Sequence, residues 1–339
     1  MMRRSAMIRL AKVVVSLTLL AAILWHVGPR AVAAEVGGMN KGLVALALVL
    51  LLAESLLRSL NWFQLIRSGA QNAALRSVTY AYFVGGFFGA LLPSTLGTDL
   101  ARSTVAGIRT NGPVEAYFAT TVLLNVLSLM VIGAAGLVAC ALVLDWPGAP
   151  AATIGASAVV SSACLLGVGA LCVLALQARA PRAKALPAQA SKWRAGLKRR
   201  IARFVTALVM LPRGVELAAV VFVAACSYAL RSLGWLTLLA AADASISWAV
   251  LLTIGPLVTL GAALPISVLG FGGFQAISVY LLAQWDVPTQ QALAASIVQS
   301  GLAVLVCCIG CVVYLAGERV SLASLSATDR ANEECPGCE

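Results

Sequence analysis

The sequence predicts an all-α polytopic membrane protein of about six transmembrane spans plus two re-entrant helical hairpins in an inverted repeat. Three observations predict it. The 339 residues are 61% hydrophobic and 11% charged, with mean hydropathy +0.95, whereas soluble domains carry about a quarter charged residues. The net charge of +11 sits in short connectors rather than on one basic face, which marks cytoplasmic loops and not a nucleic-acid surface. Two apolar helices also share an Arg and Trp pattern, and each is followed by a Pro/Gly break.

Residues 1–12 place Arg3, Arg4, Arg9 and Lys12 ahead of the apolar run 13–27. With Ala31-Val32-Ala33 behind it, this run resembles a signal peptide. It also fits the repeat as a first span, so a retained signal-anchor helix is expected, with 28–41 outside. His26, the sole histidine, ends the run as an interfacial side chain. A second span covers 42–60 and meets the inner interface at Asn61, Trp62, Arg67 and Arg76. The apolar segment 77–97 leads to Arg102 and Arg109. A long span covers 114–144, Asp145-Trp146-Pro147-Gly148 turns the chain, and 152–177 spans again. Residues 178–213 carry ten Lys/Arg and no acid. They read as a cytoplasmic connector, partly an amphipathic surface helix around 193–204 that anionic lipid would attract. Spans at 215–241 and 293–315 flank the segment 248–285, and a polar tail closes the chain.

The stretch Leu91-Leu92-Pro93-Ser94-Thr95-Leu96-Gly97-Thr98-Asp99-Leu100-Ala101-Arg102 breaks this pattern. In lipid, irregular backbone survives only where protein or trapped water satisfies its N–H and C=O groups. A weaker copy runs from Pro265 through Ser267, Gly270, Gly272 and Gly273. Charge parity decides how the breaks lie. If 77–97 crossed completely, the ten-charge connector would be outside, against the positive-inside rule. If 77–100 dips in and returns, 20 of the 24 Lys/Arg become cytoplasmic, leaving Arg30 and Lys41 outside and Arg58 and Arg231 within spans. The same logic makes 248–285 re-entrant from the outer side and puts both termini in the cytoplasm.

Leu57-Arg58-Ser59-Leu60-Asn61-Trp62-Phe63-Gln64-Leu65-Ile66 matches Leu230-Arg231-Ser232-Leu233-Gly234-Trp235-Leu236-Thr237-Leu238-Leu239 at six of ten positions, at the single offset that carries Arg58 to Arg231. By parity the two helices run in opposite directions, which makes the halves inverted: 1–145, with hairpin 77–100, and 146–317, with connector 178–213 and hairpin 248–285. Residues 318–339 are a cytoplasmic tail. In transporters of this architecture the site lies at the repeat interface, near the midplane.

Arg231 lies about sixteen residues into its span with no acid within two turns. An unpaired central Arg costs about 2.5–3.5 kcal/mol on insertion scales, so it faces a polar cavity, an anion or hairpin carbonyls. Arg58 has Glu54 one turn earlier, a pair in the favoured order, and can instead snorkel to the inner interface. Two such cations on opposite sides of the midplane suit a phosphate crossing between leaflets. Asp99 and Arg102 share a face if a helix begins near Thr98. Ser94, Thr95 and Thr98 are candidate caps for it, and its free N–H groups attract phosphate; alternatively Asp99 and Arg102 only pair and hold the hairpin. Ser267, Gly270, Gly272, Gly273 and Gln275 are the second hairpin's counterpart, where glycines permit close backbone packing.

Chemistry beyond this is sparse. Seven cysteines lie in apolar runs, where Cys acts as a small hydrophobe. Cys335 and Cys338 have no second pair near them to complete a zinc site. No Asp-rich magnesium motif, Walker loop or GxSxG elbow is present. No metal, cofactor or enzymatic activity is expected.

Arg58-Ser59-Leu60-Asn61-Trp62, the run Leu92-Pro93-Ser94-Thr95-Leu96-Gly97-Thr98-Asp99 through Arg102, and Leu264-Pro265-Ile266-Ser267 through Gly270-Phe271-Gly272 resemble the lysylphosphatidylglycerol synthase transmembrane-region family, also called the flippase-like domain. The resemblance covers nearly the whole chain. It implies a multi-pass bacterial inner-membrane protein that moves a lipid between leaflets, either an aminoacylated phospholipid or a polyprenyl-linked lipid. Thr98 stands where that family usually has a second glycine, and Gln275 where a glutamate usually follows the second glycine run. The soluble aminoacyl-transfer domain of the fused synthases is absent from the resemblance, so synthase activity is not implied. The expected function is a flippase-like transporter of an anionic phospholipid or polyprenyl-phosphate-linked lipid. In it Arg58 and Arg231 contact phosphate, Asp99, Arg102, Ser94, Thr95, Gly97, Ser267, Gly270 and Gln275 line the site, and Glu54, Asn61, Trp62, Pro93, Pro265, Gly272 and Gly273 shape or gate it. The alternatives are an intramembrane lipid-modifying transferase and a non-catalytic subunit of an envelope glycolipid pathway.

Overall fold

A computed structural model describes residues 28–68, 73–90, 95–178, 214–263 and 272–316. The described residues form helices and no strand: α1 (Pro29–Gly38), α2 (Lys41–Ser68), α3 (Leu75–Ala90), α4 (Thr95–Thr110), α5 (Val114–Val143), α6 (Ala151–Ala178), α7 (Val215–Ala241), α8 (Trp248–Ala263), α9 (Gly273–Ala283) and α10 (Thr289–Ala316). Helices α2, α5, α6, α7 and α10 are long and apolar enough to cross a membrane. Their apolar residues are spread around the helix rather than gathered on one stripe, as expected of helices whose solvent is lipid or another helix. The chain is therefore a polytopic all-α membrane protein. The expected first span at 13–27 with His26, the residues Pro93, Ser94, Pro265, Ser267 and Gly270, the connector from 179 to 213 and the tail with Cys335 and Cys338 lie outside the described residues.

The expected hairpin segments are two pairs of short helices. Helices α3 and α4 have 16 residues each, or about 24 Å, less than the roughly 30 Å hydrocarbon core. They fold back on each other: a Cβ on Gly85 would overlap the Arg102 backbone, and one on Gly89 would overlap Thr98. Only glycine permits this approach. The hairpin is longer than its apolar residues indicate. Its second arm continues past residue 100 to Thr110, because a helix need be apolar only where it meets the core, and this arm carries Thr, Ser, Asp and Arg on its other faces. Asn111, at φ 52°, and Pro113 end it. The arm begins at Thr95, so Thr98 lies inside the helix rather than capping it. In the second pair, a Cβ on Gly261 would overlap Ile277, which fixes α8 against α9.

The element boundaries recur along the chain at the offset that carries Arg58 to Arg231. Leu75 and Trp248, which open α3 and α8, correspond in this way, and so do Thr110 and Ala283, which close α4 and α9. Packing recurs as well. Gly310 of α10 takes the Phe83 carbonyl of α3, and Gly136 of α5 takes the Pro256 ring of α8; Phe83 and Pro256 are related by the same offset. Each hairpin thus leans on the long helix that follows the other one. Helices α2 and α7 pack side by side along their length. They run antiparallel, since Asn40 N donates to Ala241 O at 3.0 Å and Gly234 faces Ala47 and Leu50.

Two apolar clusters cover the two ends of this pair. One gathers Trp62, Leu65, Ile66, Val78, Tyr82, Val105, Leu124 and Val220 from α2, α3, α4, α5 and α7. The other gathers Val32, Trp235, Leu239, Ile254, Leu282 and Leu293 from α1, α7, α8, α9 and α10.

Candidate functional site

Arg102 is the latch of the first hairpin. Its Nε donates to the Tyr82 carbonyl at 3.2 Å, and its guanidinium lies 3.9 Å over the Tyr82 ring. The glycines at 85, 86 and 89 let α4 approach α3 closely enough for both contacts. Three residues back, Asp99 is 7% exposed, with Oδ1 at 4.0 Å from Arg102 Nη1. The i, i+3 spacing on one helix puts both charges on one face.

That carboxylate leads to a connected polar network. Asn125 of α5 donates through Nδ2 to Asp99 Oδ2 at 2.7 Å, while its Oδ1 accepts from Arg58 Nη2 at 3.2 Å. Arg58 in turn lies 3.9 Å from Glu54 Oε1. Two bases and two acids from α2 and α4 thus meet through one amide of α5. Hydroxyl pairs extend the network: Ser59 to Thr79 at 3.3 Å, and Ser103 to Thr121 at 3.3 Å, with Ser103 also donating to the Asp99 carbonyl. Among polar groups buried in an apolar medium, connected sets of this kind are tolerated because few members lack a partner. Arg58 Nε and Asn61 Oδ1 are buried without one. Trp62 donates to Thr120 at 3.0 Å, pinning α2 to α5 beside the network.

Arg231 has a different environment. It is exposed on α7 and lines a cavity of about 190 Å³ with Tyr228, Ser232, Trp235, Thr259, Phe274 and Gln299. No carboxylate is in salt-bridge range of Arg231 among the described residues. Trp235 Nε1 is buried and unbonded at this wall. Tyr228 approaches so closely that a Cβ on Gly255 would overlap its hydroxyl. The antiparallel register of α2 and α7 sets Arg231 level with residues 51 to 53, so Arg58 and Arg231 stand about 9 Å apart along the axis at 1.5 Å per residue.

In the second hairpin, Gly272 adopts φ 103° and precedes α9, whose first residue, Gly273, is buried. Gln275 has no exposed surface. Its Oε1 accepts from Gly272 N at 2.7 Å and its Nε2 donates to Ser300 of α10 at 2.8 Å. This amide caps α9 and ties it to α10, an arrangement that needs both a donor and an acceptor. Gln275 falls opposite Arg102 at the offset that carries Arg58 to Arg231, but it ties α9 to α10, whereas Arg102 ties α4 to α3.

The structure brings Glu54, Arg58, Asp99 and Arg102 together, keeps Arg231 apart in its own cavity, and places Gln275 in internal bonds. Thr95 opens α4 and Gly97 lies in its first turn. Sequence reasoning missed Asn125, Tyr82, Tyr228 and Gln299. Asn125 had a readable signal, as the one carboxamide in the long apolar run of α5. Tyr82 acts through its carbonyl and ring face on Arg102 and its side chain on Arg58, which leaves no mark in composition.

The protein-family model described as lysylphosphatidylglycerol synthase TM region matches residues 9–311. No curated protein matches the chain.

Proposed function

The chain belongs to the lysylphosphatidylglycerol synthase TM region family, a membrane family tied to lipid handling, and from that membership we propose that it is a flippase-like carrier. It moves an anionic phospholipid or a polyprenyl-phosphate-linked lipid between leaflets of a bacterial inner membrane, and it is a transporter rather than an enzyme. The observation that carries the proposal is Arg231, exposed to a cavity lined by hydroxyl, amide and aromatic groups with no carboxylate in reach among the described residues. A cation so placed in a membrane protein is stabilised by an anion it does not itself possess.

In this reading the chain is an inverted repeat, 1–145 and 146–317, with both termini cytoplasmic and the hairpins re-entrant from opposite sides. The antiparallel α2 and α7 and the recurrence of helix boundaries at one offset support it. Arg58 and Arg231 then offer the lipid phosphate successive stations near the midplane. The Glu54–Arg58–Asn125–Asp99–Arg102 network is the closed station, its cations occupied by internal acids, and the Arg231 cavity is the open one. Asp99 and Arg102 gate the cytoplasmic entrance, because opening hairpin α3–α4 would separate them from Asn125 and Tyr82.

The test is reconstitution of the full chain into liposomes carrying a headgroup- or chain-labelled anionic phospholipid, with the outer leaflet quenched chemically. Faster loss of protected label than in protein-free liposomes is expected. A rate equal to the protein-free control across anionic and polyprenyl-phosphate lipids would refute the proposal.

A further inference from the structure

Away from both arginine sites, a groove of about 1100 Å³ opens on the side of the bundle between α2, α3, α4 and α10. Its walls are Leu52, Leu56, Phe83, Ile309 and Val313, and at one end stand Arg76, Thr79, Tyr80 and Arg109. From Leu75 to Phe83 the groove runs about 12 Å at 1.5 Å per residue. No carboxylate lines it among the described residues. We infer that this groove docks an anionic phospholipid from the adjoining leaflet, its phosphate at Arg76, Arg109 and Tyr80 and an acyl chain along the leucines and Phe83.

Three observations carry the inference. Arg109 Cζ lies over the Tyr80 ring, 4.0 Å from its centroid. The contact holds the cation at the groove wall, and a guanidinium fork matches a phosphate. Tyr80 is only 8% exposed, yet its hydroxyl is buried without a hydrogen-bond partner at the groove wall. A buried hydroxyl with no partner is costly in an apolar medium, so this one calls for an acceptor from outside. Third, the cations are not part of the repeated scaffold. The repeat counterparts of Arg76, Tyr80 and Arg109 are Ala249, Thr253 and Leu282, so the corresponding face of the second half has no cationic end. Positive-inside bias accounts for basic residues at this end of the hairpin, but not for Arg109 being stacked on Tyr80 beside an apolar groove.

An acyl chain in contact with the long apolar wall selects a lipid over a free phosphate. A volume above the usual small-molecule range also favours it. The docking stands whether or not the lipid then crosses the membrane; only its role as an entrance rests on the transport reading.

The experiment is native mass spectrometry of the delipidated full chain titrated with dioleoylphosphatidylglycerol, dioleoylglycerol or inorganic phosphate. The variants are Arg76→Gln/Arg109→Gln and Tyr80→Phe, each made also in an Arg231→Ala background that removes the other phosphate site. The wild type should bind the anionic lipid well above the other two probes. The double variant should lose about tenfold or more in that affinity, the worth of one or two charge-assisted hydrogen bonds, and Tyr80→Phe should lose less. In the Arg231→Ala background the double variant should show the same fold-loss, which places the loss at the groove; a chain that fails to dock but still moves label across the bilayer leaves the transport reading standing. Undiminished affinity in the double variant overturns the inference, as does equal binding of dioleoylglycerol. Cross-linking of Leu56→Cys to the chain's own 317–339 segment, in place of lipid protection, overturns it too.

Discussion

Asn125 hydrogen-bonds a charge of α2 and a charge of α4 at once, and replacing it tests whether the network is a unit. Asn125→Ala removes the 2.7 Å bond to Asp99 and the 3.2 Å bond from Arg58. Hydrogen bonds to charged groups contribute about 1.5–3 kcal/mol in soluble proteins. Inside membranes, cycles give about 0.6 kcal/mol on average and at most about 1.7, because the unfolded state also finds partners. The short bond to a carboxylate that is 7% exposed belongs near the upper value, and the longer one near the mean. Asn125→Ala is therefore expected to destabilise by about 2 kcal/mol. The assay is reversible unfolding in a detergent titration, run as a cycle with Asp99→Ala. The expected coupling is about 1–1.5 kcal/mol. Additivity within about 0.5 kcal/mol would refute the network, since it would mean that Asn125 and Asp99 act independently.

Other perturbations follow from close contacts. Gly85→Ala drives a methyl into the Arg102 backbone and should cost about 1–3 kcal/mol as an overpacked site, read by the same titration; a cost near zero would mean α3 and α4 are not held at this distance. Gly136→Ala and Gly310→Ala meet Pro256 and the Phe83 carbonyl at corresponding places. They should destabilise by similar amounts of about 1–3 kcal/mol, and a large cost at one with none at the other would contradict the paired packing. Trp62→Phe keeps most of the buried ring but removes its bond to Thr120, with an expected loss of about 1 kcal/mol, smaller than that of Trp62→Ala.

Much of this architecture was legible because lipid imposes strict rules on sequence. Long apolar runs became α5, α6, α7 and α10 nearly at their expected bounds, since a span needs about 20 apolar residues and little else; α2 instead runs past its expected end at 60 to Ser68, with Asn61 and Trp62 buried against neighbouring helices rather than at an interface. The Arg58 and Arg231 motifs pointed to the antiparallel pair at the centre. The extent of α4 was not legible, because hydropathy falls where a helix faces a polar neighbour and Arg102 to Thr110 reads as loop. The partners of the charged residues were also hidden. Asp99 and Arg102 pair as their spacing implied, yet what completes the set is Asn125, 26 residues from Asp99, and only the packing of α4 on α5 brings them together. Gln275 shows the reverse. Its place in a motif suggested a ligand contact, whereas its amide spans Gly272 and Ser300, partners that sequence order could not supply.

The central claim is that Arg231, in its cavity on α7, meets the lipid phosphate during crossing. Its most direct test is the leaflet-crossing rate of a labelled anionic phospholipid in liposomes holding equal amounts of folded wild type or Arg231→Ala. The exposed position of Arg231 means the variant should fold with wild-type stability. Its rate should fall by about tenfold or more, the loss of one charge-assisted contact, with Arg231→Lys in between. A folded Arg231→Ala variant that moves the lipid at the wild-type rate would contradict the account.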